Sequence, residues 1–302
     1  MLKSIRNTFV LVIASMASQA VLADHSPSHS PYYSVKAEQQ AIEFAPGIIS
    51  TKAHFEINTV LNKKGDHVVF SRCSDYFKHC TLMESTFKDT QWGEPKALPI
   101  SGDYLDADPY YNEDYSALYF ISTRPITAGG EVSATVNLWR TNFVDGKWHS
   151  AEYLPELSSD ADDLYPSITT NGDLYFPSFR NDDRKMYVAK ANKNGFDKPV
   201  ALPTDMFGEG AKIGDSVVLR DGKTIIFSMR RKDSQGKGDL YISYKKNEKW
   251  SLAKTLGDKV NTTDHEFTPI VSPDGKYLFF TRIEQGRGNL YQIKLSALGV
   301  NL

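Results

Sequence analysis

Residues 267–282 read FTPIVSPDGKYLFFTR: an apolar run, a Pro-Asp-Gly turn, a second apolar run and a closing arginine. Apolar runs on both sides of such a turn spell a β-hairpin, because Asp-Gly accepts the positive φ that tight turns require. The closing phrase recurs upstream. VVFSR ends at Arg72, YFISTR at Arg124, YFPSFR at Arg180 and IIFSMR at Arg230, so successive arginines are 52, 56, 50 and 52 residues apart. A period near fifty residues is the signature of a repeat architecture.

Each copy has the same parts. Turns precede the arginine at Lys64-Gly65-Asp66, Asn171-Gly172, Asp221-Gly222 and Pro273-Asp274-Gly275, with Asn112-Glu113-Asp114 in the second copy. A further strand follows at Thr81-Leu82, Leu138-Trp139, Met186-Tyr187, Leu240-Tyr241 and Leu290-Tyr291. Then come Trp92, Trp148, Phe196 and Trp250, each followed six residues on by a leucine (Leu98, Leu154, Leu202, Leu256). The aromatics read as packing between neighbouring units. Four short strands per copy and no sustained helical periodicity predict an all-β fold: a β-propeller of four-stranded antiparallel blades. The fifth copy lacks its outer strand, and residues 41–44 have the composition and position to supply it. Five blades over residues 41–302 are therefore expected, closed by an N-terminal strand that removes the open edges. Six is the alternative, if residues 24–54 form an irregular extra blade.

The stretch 267–282 resembles the repeat of TolB-type, WD40-like β-propellers. The resemblance runs as five copies over residues 55–295, best in the fifth and poorest in the first two. It implies a propeller in an exported setting. TolB carries an α/β domain ahead of its propeller to which nothing in this chain corresponds, so no Tol-Pal role is carried over.

Residues 1–23 read as a secretion signal. Lys3 and Arg6 form a basic start, residues 8–16 are largely apolar, and Val21-Leu22-Ala23 offers a cleavage site before Asp24. Residues 24–40 are expected to be a flexible lead-in. The apolar run is too short to span a bilayer. Removal of Lys3 and Arg6 takes the formal charge from −2 to −4. A mildly acidic chain with no basic run has no electrostatic footprint for nucleic acid or an anionic membrane. The two cysteines, Cys73 and Cys80, are read as a structural disulfide, and the location as periplasmic or secreted. A monomer is expected.

Residues equidistant from a hairpin turn face each other. Counting outward from each turn sets Glu56 opposite Arg72, Asp108 opposite Arg124, Asp163 opposite Arg180, Asp215 opposite Arg230 and Glu266 opposite Arg282. A ring of cross-strand ion pairs pinning the register is the structural reading. The functional reading is an acidic channel mouth that binds a ligand through Asp106, Asp108, Asp162, Asp163, Asp215, Asp264, His265 and Glu266. The clusters Asp103/Asp106/Asp108, Asp160/Asp162/Asp163 and Asp264/His265/Glu266 lie on this face. Carboxylates at alternate positions suit a calcium ion at the mouth, although no EF-hand pattern is present and no cofactor is required. Loops of unequal length (73–80, 125–136, 181–185, 231–238 and 284–288) share the face, a normal place for recognition. No nucleophile elbow, zinc-protease helix or phosphate loop occurs. The expected function is a scaffold binding an envelope or extracellular protein, peptide or glycan. A hydrolase (glycosidase- or lactonase-like) using channel-mouth carboxylates is the alternative.

Overall fold

The computed structural model describes residues 31–74 and 76–302. Residues 1–23, expected to be a secretion signal, and residues 24–30 lie outside the described residues. Five antiparallel blades follow one another around a central channel. Their innermost strands are Phe55–Leu61, Asp106–Tyr111, Ser167–Ile168, Lys212–Val218 and His265–Val271. The second strands, His67–Ser74, Ala117–Ser122, Leu174–Ser178, Thr224–Arg230 and Tyr277–Glu284, are the most buried. They are covered on both faces by neighbouring blades, so they read as continuous apolar runs rather than alternating ones. Each has a fully buried phenylalanine at the equivalent position (Phe70, Phe120, Phe176, Phe227 and Phe280), and the fifth adds Phe279. Among the described residues the helices are short 3-10 turns.

The repeated leucine locks the outer strand onto the third. Backbone N–H groups of Leu98, Leu154, Leu202 and Leu256 donate to the carbonyls of Leu82, Leu138, Met186 and Leu240 at 2.8–3.1 Å. Trp148 of the second blade stacks on Tyr111 and donates to Glu84 of the first blade, as expected of an aromatic between blades.

The ring closes as the sequence predicts. Ile42–Glu43 pairs antiparallel with Arg287–Lys294, setting Ile42 opposite Gln292 and Glu43 opposite Tyr291. Phe44 then wedges edge-on against Phe279 of the fifth blade and Trp92 of the first. Residues 31–40 are not a loose lead-in. Tyr32 and Ala37 are buried, with the Tyr32 ring edge-on to Tyr277 and Phe279, and Glu38 meets Lys294 at 2.7 Å. Apolar burial against the last blade holds them.

Cys73 and Cys80 are disulfide-bonded and directly opposite in the second and third strands of the first blade. Constraining so short a loop stabilises by roughly 2–3 kcal/mol in the chain-entropy picture. The Cys73→Ser/Cys80→Ser double variant should lose that much unfolding free energy in a urea titration, with a lower midpoint.

One irregularity recurs and positions the site. Every innermost strand carries an extra residue relative to its neighbour, a β-bulge, with register shifts between Ile57 and Thr59, Ala107 and Tyr110, Ile213 and Ser216, and Phe267 and Ile270. In the third blade the same shift falls between Asp163 and Ser167. A bulge lifts a residue out of the ladder and re-aims its side chain. The residues so placed are Asn58, Asp108, Tyr165, Asp215 and Thr268, spaced 50, 57, 50 and 53 apart. All but Asp215, which follows Gly214, have a left-handed backbone (φ 42° to 55°). Pro109, Pro166 and Pro269 follow three of them, where a missing N–H leaves no ladder bond unmade.

Candidate binding site in the channel mouth

The strand starts define one mouth of the channel. Four blades staple this end in the same way. Arg72 meets Glu56 at 3.2 Å, Arg124 meets Asp106 at 2.7 Å, Arg180 meets Asp163 at 2.7 Å and Arg282 meets Glu266 at 2.8 Å. All four carboxylates are fully buried. Each also takes a hydroxyl from a serine or threonine four or five residues upstream: Thr51, Ser101, Ser159 and Thr262. The guanidinium groups of Arg124, Arg180 and Arg282 lie over Trp139, Tyr187 and Tyr291 and donate to the carbonyls of Ile100, Leu157 and Val260. Burial pushes the Glu56 and Glu266 carboxyls up, against the pull of the threonine and arginine donors.

Two of the expected pairs are not formed. Arg124 takes Asp106, not Asp108, because Asp106 lies opposite Ser122 in the ladder and the arginine curls back from beyond the strand end. Asp215 does not meet Arg230, which is exposed and opposite Lys212. Arg231 takes the blade-arginine position instead. It lies over Tyr241, donates to the carbonyls of Phe207 and Ala253, and pairs with Asp233 at 2.6 Å.

Asp108 and Asp215 are thereby released into the channel, both on bulges. Asp108 is buried. Its carboxylate accepts the Tyr165 N–H at 3.2 Å and is bonded by the Asn58 side chain. Burial, reinforced by the charge of Asp215, raises its pKa from 3.8 to about 7. Asp215 receives Arg184 at 2.6 Å, an arginine reaching in from the loop after the third blade's second strand. His265 stands beside them, its pKa lowered mainly by burial and further by Lys237 and Arg184, against the opposing pull of Asp215 and Asp239. Below this group Tyr165 lies across the channel, fully buried, its hydroxyl donating to the Pro269 carbonyl of the fifth blade at 2.9 Å. Asn58 Oδ1 and Arg184 Nε are buried without a hydrogen-bond partner in the protein. Buried polar atoms are rarely left so.

The other predicted residues have different company. Asp162 accepts the Val136 N–H at 3.1 Å and braces the long 125–136 loop. Asp264 is half-buried, with its N–H on Thr262 and its carbonyl on the Lys237 N–H. Asp103 and Asp160 are exposed. With Asp106 and Asp163 engaged by arginine, these clusters offer calcium few free oxygens. Among the described residues no three His, Cys, Asp or Glu side chains converge as metal ligands. Asn58, Tyr165 and Arg184 are the members that sequence counting missed. Aligning the Asp108-Pro109, Tyr165-Pro166 and Thr268-Pro269 dipeptides identifies the bulge series. The opposite mouth is different in kind: an apolar cavity of about 210 Å3 lined by Val60, Tyr110, Leu219 and Ile270, with Arg220 over Tyr115 and tied to Glu113.

No family model matches the chain, and no curated protein matches its sequence. Solved structures match it in shape. A thermostable family-43 glycoside hydrolase superposes with a TM-score of 0.53 at 11% identity, over 80% of this chain and 89% of that one. A protein from Agrobacterium tumefaciens described as a candidate TolB gives 0.44 at 12%, over 78% and 73%. A puromycin-hydrolyzing peptidase from Mycobacterium tuberculosis gives 0.45 at 12%; it matches 76% of this chain, which spans only 34% of the peptidase's length. At such identities the likeness to the glycoside hydrolase is one of fold. No helix among the described residues is long and apolar enough to cross a membrane.

Proposed function

We propose that this propeller binds a polyhydroxylated ligand, a glycan, in the channel mouth. The observation that carries this reading is the pair Asp108 and Asp215, the bulge-borne acids that escape the blade staples. Around them lie the unpartnered acceptor Asn58 Oδ1 and the unpartnered donor Arg184 Nε. Each sugar hydroxyl both donates and accepts, so it is suited to a recess that offers both. The acids are recessed, which favours a narrow ligand over the face of a folded protein. The Cys73–Cys80 bridge supports placement in an oxidising, extracytoplasmic compartment.

Calorimetric titration with neutral and acidic oligosaccharides tests the reading. Asp215→Asn should weaken binding by about tenfold or more, since it removes a charged partner and leaves Arg184 unpaired. Equal affinity of wild type and Asp215→Asn would exclude the channel as the site.

Hydrolysis of the bound glycan is the second reading, favoured by Asp108. A carboxyl that is half protonated near pH 7 and faces a second carboxylate suits a general acid. Turnover of aryl glycosides should then fall as pH rises through 7, as the acid is lost.

A further inference from the structure

We infer that the disulfide-closed loop of the first blade supplies an aromatic platform on which a pyranose ring of that glycan stacks, with Tyr76 as its open face. The inference rests on the glycan reading of the channel. Tyr76 and Phe77 sit at the loop tip between the bonded Cys73 and Cys80. Phe77 is the anchor: its ring meets Phe55 at 4.9 Å and Phe267 at 6.0 Å, joining the first blade to its neighbour, the fifth, at the rim of the mouth. Tyr76 leans on Phe55 at 5.3 Å and on Phe77 at 5.4 Å, yet it stays 58% exposed. Phe267 in turn stacks on His265 at 4.8 Å, and His265 feels the charge of Asp215. A continuous file of rings therefore leads from the rim to the acids.

Packing alone does not account for Tyr76. Its φ is 59° and that of Phe77 is 76°, left-handed values that bulky side chains rarely adopt. Phe77 recovers that strain through contact with two blades. Tyr76 keeps most of its surface in water, so the fold gains little from holding a large ring there. The disulfide and the in-register Ser74–His79 pair fix the stem beneath it. A pyranose has polar edges and an apolar C–H face. The channel acids, Asn58 and Arg184 meet the edges, and an exposed aromatic backed by Phe55 and Phe77 at the rim meets the face.

The test titrates wild type, Tyr76→Ala, Tyr76→Phe and Asp215→Asn with cellohexaose, xylohexaose and chitohexaose. Thermal midpoints are recorded alongside, to confirm that the exposed substitutions leave folding intact. Tyr76→Ala should weaken binding about tenfold, while Tyr76→Phe stays within about threefold, because stacking uses the ring and not the hydroxyl. Wild-type affinity in Tyr76→Ala with lost affinity in Asp215→Asn would overturn the platform and leave the channel reading standing. Equal losses in Tyr76→Ala and Tyr76→Phe would assign the effect to a hydroxyl bond and overturn stacking. No binding of any hexasaccharide to wild type would overturn both readings.

Discussion

Asp108→Asn is expected to raise the thermal midpoint at pH 8 and to leave it nearly unchanged at pH 4. The folded carboxyl titrates near 7 against an ordinary value of 3.8, so the native state holds its proton longer than the unfolded chain does. Stability from this group is complete below 3.8, falls as pH rises and is lost above about 7. The gap corresponds to at most about 4 kcal/mol at pH 8, on the order of 5–10 °C in a chain of this size. Asparagine is neutral throughout and removes that slope. Its carbonyl still accepts the Tyr165 N–H, and its short polar side chain suits the left-handed φ of 55°. Calorimetry from pH 4 to 9 decides the matter: a variant as pH-dependent as the wild type would show that Asp108 is not the group responsible. The same variant separates the two functional readings. A hydrolase loses its acid and its turnover. A site that only binds has no turnover to lose and gives up at most the contribution of one carboxylate, because the amide still offers the glycan a donor and an acceptor. Retaining so unfavourable a carboxylate in the core is what a stability–function trade-off looks like.

Glu266→Ala should destabilise the fold by about 3–5 kcal/mol, the usual result of removing one partner from a buried pair. Glu266 accepts Arg282 Nε at 2.8 Å, the Thr262 N–H at 3.1 Å and the Thr262 hydroxyl at 2.6 Å. Its loss leaves a guanidinium only one-tenth exposed with Glu284, itself 40% exposed, as its remaining carboxylate at 3.3 Å, in the blade that the N-terminal strand closes. The exposed pair of Arg140 with Glu152, although shorter at 2.6 Å, provides the contrast. Glu152→Ala should cost no more than about 1 kcal/mol, because solvent screens that pair. Urea unfolding of both variants measures the difference. Similar losses would mean that burial does not set the worth of these staples.

The propeller, its blade count and its closing strand are all legible in the sequence, because they follow from a phrase repeated at a fixed period. The staples are only partly so. Symmetric counting about a turn assumes an unbroken ladder, and each inner strand contains an extra residue that leaves no mark on the apolar pattern. The count therefore set Asp108 against Arg124 and Asp215 against Arg230. The phenylalanine of each second strand is a better anchor than the arginine. The arginine follows it by two residues in the first and fifth blades and by four in the others, once Arg231 is recognised as the fourth. The hydroxyl upstream of the acid is the other missed cue. Ser101 stands five residues before Asp106, and no serine or threonine holds that place before Asp108 or Asp215. Arg184 carries no signal at all, since it reaches the channel from a loop unique to its blade.

The outer strand of the fifth blade has a consequence for the order in which the molecule assembles. Ile42 and Glu43 are made early, yet their partners Gln292 and Tyr291 come about 250 residues later. The closing pairing is thus the most non-local one in the fold, and loop closure over such a distance is slow. Until the C-terminal strand arrives, Phe44 has no Phe279 to pack against, and the first and fifth blades each lack a neighbour. The blades can therefore be laid down one after another, from the first to the fifth, before the ring is able to lock.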